Sequence, residues 1–166
     1  MHRPAHPIIA LALFVAIPLG AQGAADDAYA ALKRFDGTWN ATFSTGRTLA
    51  VENHCWPTAH YFVCEQTVGG GAAALVIFQA AGGGDGALKY RTRTLTSAEG
   101  PIGPWGSLTI TGDRWVYEPG ATSGRAKRTR TVDIFSGPDF IHFEDQTSTG
   151  GQTWTTARSG DERRAP

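Results

Sequence analysis

Apolar and polar residues alternate with a period of two along most of the chain from Thr38 onward, the pattern of strands with one face on a core and the other in water. The alternation predicts strands over residues 38–44, 48–53, 60–68, 73–79, 88–95, 107–111, 115–118, 128–135, 140–146 and 153–158. Turn-forming clusters separate them: Gly69-Gly70-Gly71, Gly82-Gly83-Gly84-Asp85-Gly86, Gly112-Asp113, Ser136-Gly137-Pro138-Asp139 and Gly150-Gly151. The longer segment 97–106, with Pro101 and Pro104, reads as a loop over one barrel mouth. About ten short strands with short connections are the signature of an antiparallel sandwich or an up-and-down barrel. The expected fold is all-β, a single antiparallel up-and-down β-barrel. A short N-terminal helix over 26–34 precedes it, with Asp26 and Asp27 at the helix start.

The ends of the chain read differently. Residues 1–25 have the three parts of a secretory leader: His2 and Arg3, an apolar run over 8–17, and small residues Ala21, Gly23, Ala24 and Ala25 before a cleavage point. That apolar run is about half of what a bilayer-spanning helix needs, so no membrane span is expected once the leader is removed. The mature protein is expected to be periplasmic or secreted. Residues 26–159 form one domain, and 160–166 are charged, lack large apolar side chains and read as a disordered tail.

Lysine plus arginine and aspartate plus glutamate each number 15, so the chain is formally neutral at pH 7. Nucleic-acid binding rests on a basic footprint, and neutrality gives no reason to expect it. The one concentrated positive run, Arg125-Ala126-Lys127-Arg128-Thr129-Arg130, reads as a solvated loop entering a strand.

The two cysteines, Cys55 and Cys64, flank Pro57-Thr58-Ala59, a turn between two predicted strands. Export places them in an oxidising space, and a disulfide across the hairpin is the expected state. A metal site built from these cysteines with His54 and His60 is the weaker alternative, since structural zinc takes four well-spaced ligands.

Two motifs carry a family resemblance. Phe35-Asp36-Gly37-Thr38-Trp39-Asn40 after a short helix resembles the opening of lipocalin-like (calycin) barrels. Ser148-Thr149-Gly150-Gly151-Gln152-Thr153-Trp154 is similar to the closing hairpin of a bacterial group of uncharacterised exported lipocalin-like proteins. The resemblance covers residues 32–158 and brings no activity with it. It implies that Trp39 packs near the closed end under an arginine of the last strand. Arg158 is the matching candidate, and both residues would then be structural.

Candidate chemistry is sparse. There is no Gly-x-Ser-x-Gly nucleophile elbow, and neither glycine cluster is followed by the Lys-Ser/Thr pair of a phosphate-binding loop. No cofactor or metal is expected. His142 and Glu144 share one face of their strand and read as a surface pair, with an interior polar pair or a haem-ligating histidine as the functional alternatives. The aromatic residues are the best pointer to a pocket, because alternate strand positions of a barrel face its interior. Tyr61, Phe78, Tyr90, Trp105, Trp115 and Tyr117, with His142, are the candidate ligand contacts, Trp105 being placed in the mouth loop. The leading functional expectation is an exported barrel that binds a small hydrophobic ligand. The alternatives are a packed structural or interaction module of the envelope and an enzyme with an unrecognised site.

Overall fold

The computed structural model describes residues 28–96, 103–120 and 127–166. The expected leader, the first two residues of the expected helix, most of the long loop and the start of the basic run lie outside the described residues. Ten strands follow one another: β1 (Gly37–Phe43), β2 (Thr48–Pro57), β3 (Phe62–Val68), β4 (Ala74–Gly84), β5 (Ala87–Thr96), β6 (Gly106–Thr111), β7 (Arg114–Glu118), β8 (Lys127–Phe135), β9 (Phe140–Thr149) and β10 (Thr155–Arg164). Each pairs antiparallel with its neighbour in sequence, and β10 returns to β1, so the sheet is a closed up-and-down barrel without a free edge. The outer face carries Glu52, Glu65, Arg91, Arg130, Glu144 and Arg163, while the interior phase is mostly apolar. Membrane barrels have the reverse alternation. No helix among the described residues is long and apolar enough to cross a membrane.

The helical segment before the barrel is a 3-10 turn, Ala31–Phe35, with no side-chain cap at its start. It is held by burial instead. Leu32 is fully buried, and Phe35 meets Trp115 edge-on with ring centroids 4.8 Å apart. Upstream, the Tyr29 hydroxyl donates to the His60 carbonyl at 2.8 Å, and the Tyr90 hydroxyl donates to the Ala28 carbonyl at 2.6 Å. Arg34 pairs with Asp113 at 2.9 Å and donates to the Gly137 carbonyl. His60, Asp113 and Gly137 lie in the β2–β3, β6–β7 and β8–β9 turns, which share one end of an up-and-down barrel. The N-terminal segment therefore plugs that end, packed on Trp39, Phe62, Trp115, Phe135 and Ile141.

The last strand differs from expectation. Residues 160–166 do not form a tail: β10 continues to Arg164, with Gly160 opposite Phe43, Glu162 opposite Ala41 and Arg164 opposite Trp39. The segment lacks large apolar side chains because its neighbours supply them. A Cβ on Gly160 would collide with the Thr42 carbonyl and lie 2.7 Å from the Phe143 ring. The glycine makes room for Phe43 and Phe143, whose rings meet edge-on at 5.4 Å. Backbone pairing to β1 and β9 then closes the barrel without needing apolar side chains on β10.

The same shift corrects the arginine over Trp39. It is Arg164, with its guanidinium 4.2 Å from the indole centroid, whereas Arg158 lies over Phe43 at 5.0 Å. The longer strand carries the partner of Trp39 six residues further along than the motif spacing suggests. Arg164 also explains the glycine of the opening motif. Gly37 has φ +109°, and a Cβ there would stand 2.6 Å from the guanidinium.

Cys55 and Cys64 are directly opposed on β2 and β3 and form a disulfide. Chain-entropy reasoning gives a short loop of this kind about 2–3 kcal/mol. Replacing both by serine is expected to lower the unfolding free energy by that amount in urea titration, and a reductant should bring the wild-type protein to the same midpoint.

Candidate functional site

Aromatic packing fills only the plugged half of the barrel. Beyond it lies a cavity of about 340 Å³, of the size that takes one small ligand. Phe35 reaches it from the 3-10 turn, and Phe43, Leu49, Val51, Val68, Val76, Phe78, Leu108 and Phe143 supply most of the wall. These are the inward positions of their strands. Those nearest the β1–β2 and β3–β4 turns, Phe43, Leu49 and Val68, lie at the end away from the plug.

The wall carries two polar patches. Gln66 Nε2 donates to Asn53 Oδ1 at 3.0 Å, so this amide pair is joined to itself. Across the barrel, Asp145 accepts from Thr131 Oγ1 at 2.8 Å and from Arg158 Nε at 2.7 Å, with a second, shorter contact from Arg158 Nη2. Such two-pronged carboxylate–guanidinium pairs are geometrically specific, and this one occupies the single guanidinium of the lining. Asp133 on β8 and Glu162 on β10 face the same cavity from either side of Phe143, and no described side chain hydrogen-bonds to their carboxyl groups. Loss of water inside the barrel, aided by the neighbouring Glu162 and Asp145 carboxylates, pushes the Asp133 carboxyl up to about 8. Desolvation alone pushes Glu162 to about 7.

No known family pattern matches this chain, and no curated protein is similar to it. What the cavity can do therefore follows from its own chemistry.

Of the side chains expected to contact a ligand, Phe78 and Tyr117 line the cavity together. Tyr90 and Trp115 are buried at 2% and 1% exposure in the packed half, Trp115 beside Phe135 at 4.4 Å and Tyr90 beneath Tyr29. Tyr61 lies exposed in the β2–β3 turn, at the plugged end. Trp105 is outside the barrel wall, stacked under Arg91 and Arg93 at 4.7 and 4.5 Å. His142 also faces outward, its Nδ1 2.8 Å from Asp161 and its Nε2 3.9 Å from Glu144. Glu144 is shared with Gln146 and Thr156 in a surface network. Trp154 of the closing motif is on the outside as well, 4.1 Å beneath the Arg130 guanidinium.

The polar lining of Asp133, Asp145, Arg158 and Glu162 was not among those expectations. A signal existed for Asp145, which continues the apolar phase Ile141-x-Phe143-x-Asp145. Asp133 was hidden because its strand is inverted in appearance: Val132, buried there at 2% exposure, and Ile134 occupy the outer phase, while Thr131 and Asp133 line the cavity. Glu162 belongs to the segment that reads as a tail.

Proposed function

We propose that the protein is an exported binding barrel that holds one small ligand with a largely apolar body inside its cavity. The observation that carries this reading is the 340 Å³ cavity itself, plugged at one end and walled by aliphatic and phenyl groups from most of the ten strands. A barrel serving only as a packed module would fill that volume with side chains, as close-packed interiors do. Trp39, Trp115 and their neighbours do so at the plugged end only. The Cys55–Cys64 disulfide supports an oxidising compartment, periplasmic or extracellular, in line with the leader-like residues 1–25. The closed ten-stranded barrel and the two tryptophan motifs support kinship with the exported lipocalin-like group.

Native mass spectrometry of the full chain, expressed with its leader and recovered from a bacterial envelope, tests the reading. The expected spectrum shows a mass excess that disappears on denaturation, on a chain lacking its leader and two cysteine protons. A bare mass under gentle conditions, together with no binding of hydrophobic probes to the purified protein, would overturn it.

A further inference from the structure

Resting on that reading, we propose that the ligand is an amphiphilic organic cation: a protonated amine on an apolar body, whose ammonium group is received by Asp133 and Glu162. Three carboxyl groups and one guanidinium line the cavity, and the guanidinium of Arg158 is spent on Asp145. Asp133 and Glu162 are left as two acids in a largely apolar cavity without a side-chain donor among the described residues, a placement that costs free energy unless something else supplies the partner. The titratable and charged groups facing them are Asp145 and Arg158, already paired, and Tyr117, whose hydroxyl is 3.5 Å from Thr94. The carboxyl groups of Asp133 and Glu162 thus have no side-chain partner among the described residues.

The chemistry selects among occupants. A metal ion would need ligands that converge, and among the described residues no three His, Cys, Asp or Glu side chains do so. An anionic amphiphile such as a fatty acid would meet two acids and an arginine already engaged. A neutral apolar molecule would leave both carboxyl groups unanswered. An ammonium group donates hydrogen bonds to both carboxylates, offsets their mutual repulsion, and is tolerated beside the phenyl rings of Phe143 and Phe35 that line the same cavity. The apolar body then extends past Val51, Leu49 and Phe43 toward the open end.

Isothermal calorimetry at pH 7.5 with decylamine, 1-decanol and decanoate decides the matter. Decylamine, protonated there as the lysine side chain is (~10.4), is expected to bind about tenfold or more tighter than 1-decanol, with decanoate the weakest. Repeating the decylamine titration in buffers of different ionisation enthalpy should show net proton release of about one per amine bound, and 1-decanol should show none. In the Asp133→Asn, Glu162→Gln double variant the amine should fall to the level of the alcohol, while 1-decanol stays within about twofold of wild type. The proton-release measurement uses wild-type protein and stands even if the variant folds poorly. Equal binding of amine and alcohol without proton release would overturn the cation and leave the binding-barrel reading standing, and preference for decanoate would overturn it in favour of an anion. Failure of all three probes, with a bare native mass, would overturn both.

Discussion

Replacing Trp39 with alanine is expected to lower the unfolding free energy by about 3–5 kcal/mol, the cost of truncating a large, fully buried aromatic, and to shift the thermal midpoint down by roughly 10 °C. The indole is wholly buried, and its Nε1–H donates to the Phe35 carbonyl at 3.0 Å. Its outer face carries the Arg164 guanidinium, which also donates to the carbonyls of Asp36 at 2.5 Å and Arg34 at 3.0 Å and pairs with Asp139 at 3.1 Å. One ring therefore joins the plug, the first strand and the last strand, where the barrel closes. Removing it leaves a void that the rigid ladder on either side cannot collapse to fill. Urea unfolding of Trp39→Ala, Arg164→Ala, Arg158→Ala and Trp154→Ala separates this clasp from ordinary cation–π stacking. Arg164→Ala should cost about 2 kcal/mol, since it removes the cation over Trp39 together with donors to the carbonyls of Asp36 and Arg34 and the ion pair to Asp139. Arg158→Ala and Trp154→Ala, on the cavity side and the outer surface, should each cost under about 1 kcal/mol. A larger loss at Arg158 than at Arg164 would return the closing role to the position that the motif spacing suggests.

That contrast marks how far the sequence could be read. Strand number, antiparallel order and the hairpin disulfide follow from features with local causes: alternation of period two, glycine-rich turns and two cysteines on either side of Pro57. The plug was legible as a helix, because Ala and Leu at short spacing look the same whether they form an α-helix or a 3-10 turn held by packing. What failed was anything decided by neighbours in space. The last strand carries Gly160, Asp161, Glu162, Arg163 and Arg164, which no local propensity would place in a sheet. It is a strand because β1 and β9 would otherwise expose unpaired edges. Facing is similarly non-local: Val132 and Ile134 give β8 an apolar outer stripe, so alternation alone turns the strand inside out and sends Asp133 to solvent. The cavity's polar groups were lost through these two effects together. Of the aromatic residues, only Phe78 and Tyr117 among those expected to meet a ligand belong to the cavity layer, because the other rings are divided between the plugged end and the outer wall.

The interior acids make stability itself a function of pH, with a sign opposite to that of an ordinary salt-bridged carboxylate. In the unfolded chain Asp133 titrates near 3.8 and Glu162 near 4.5, whereas inside the barrel they titrate at about 8 and about 7. A carboxyl whose folded pKa is raised contributes stability in full below its unfolded pKa and loses that contribution as pH rises through the folded pKa. The stability contributed by these two groups should therefore be fullest near pH 4 and be lost progressively up to pH 8, with Glu162 acting over about 4.5–7 and Asp133 over about 4–8, while the arginine-paired carboxylates act in the opposite direction. Each tenfold difference in proton affinity between the folded and unfolded chain is worth about 1.4 kcal/mol. Discounted for water that enters the cavity, the loss is on the order of a few kcal/mol. Asp133→Asn removes the larger share. Its thermal midpoint should match wild type near pH 4, exceed it by several degrees at pH 8, and vary less between the two. A wild-type midpoint that stays level with that of Asp133→Asn at every pH from 4 to 8 would mean that the Asp133 carboxylate is hydrated and ionised inside the barrel, and would remove its energetic cost. An ammonium held between Asp133 and Glu162 favours their ionised forms, so saturating amine should flatten the wild-type pH profile while leaving that of the Asp133→Asn, Glu162→Gln variant unchanged.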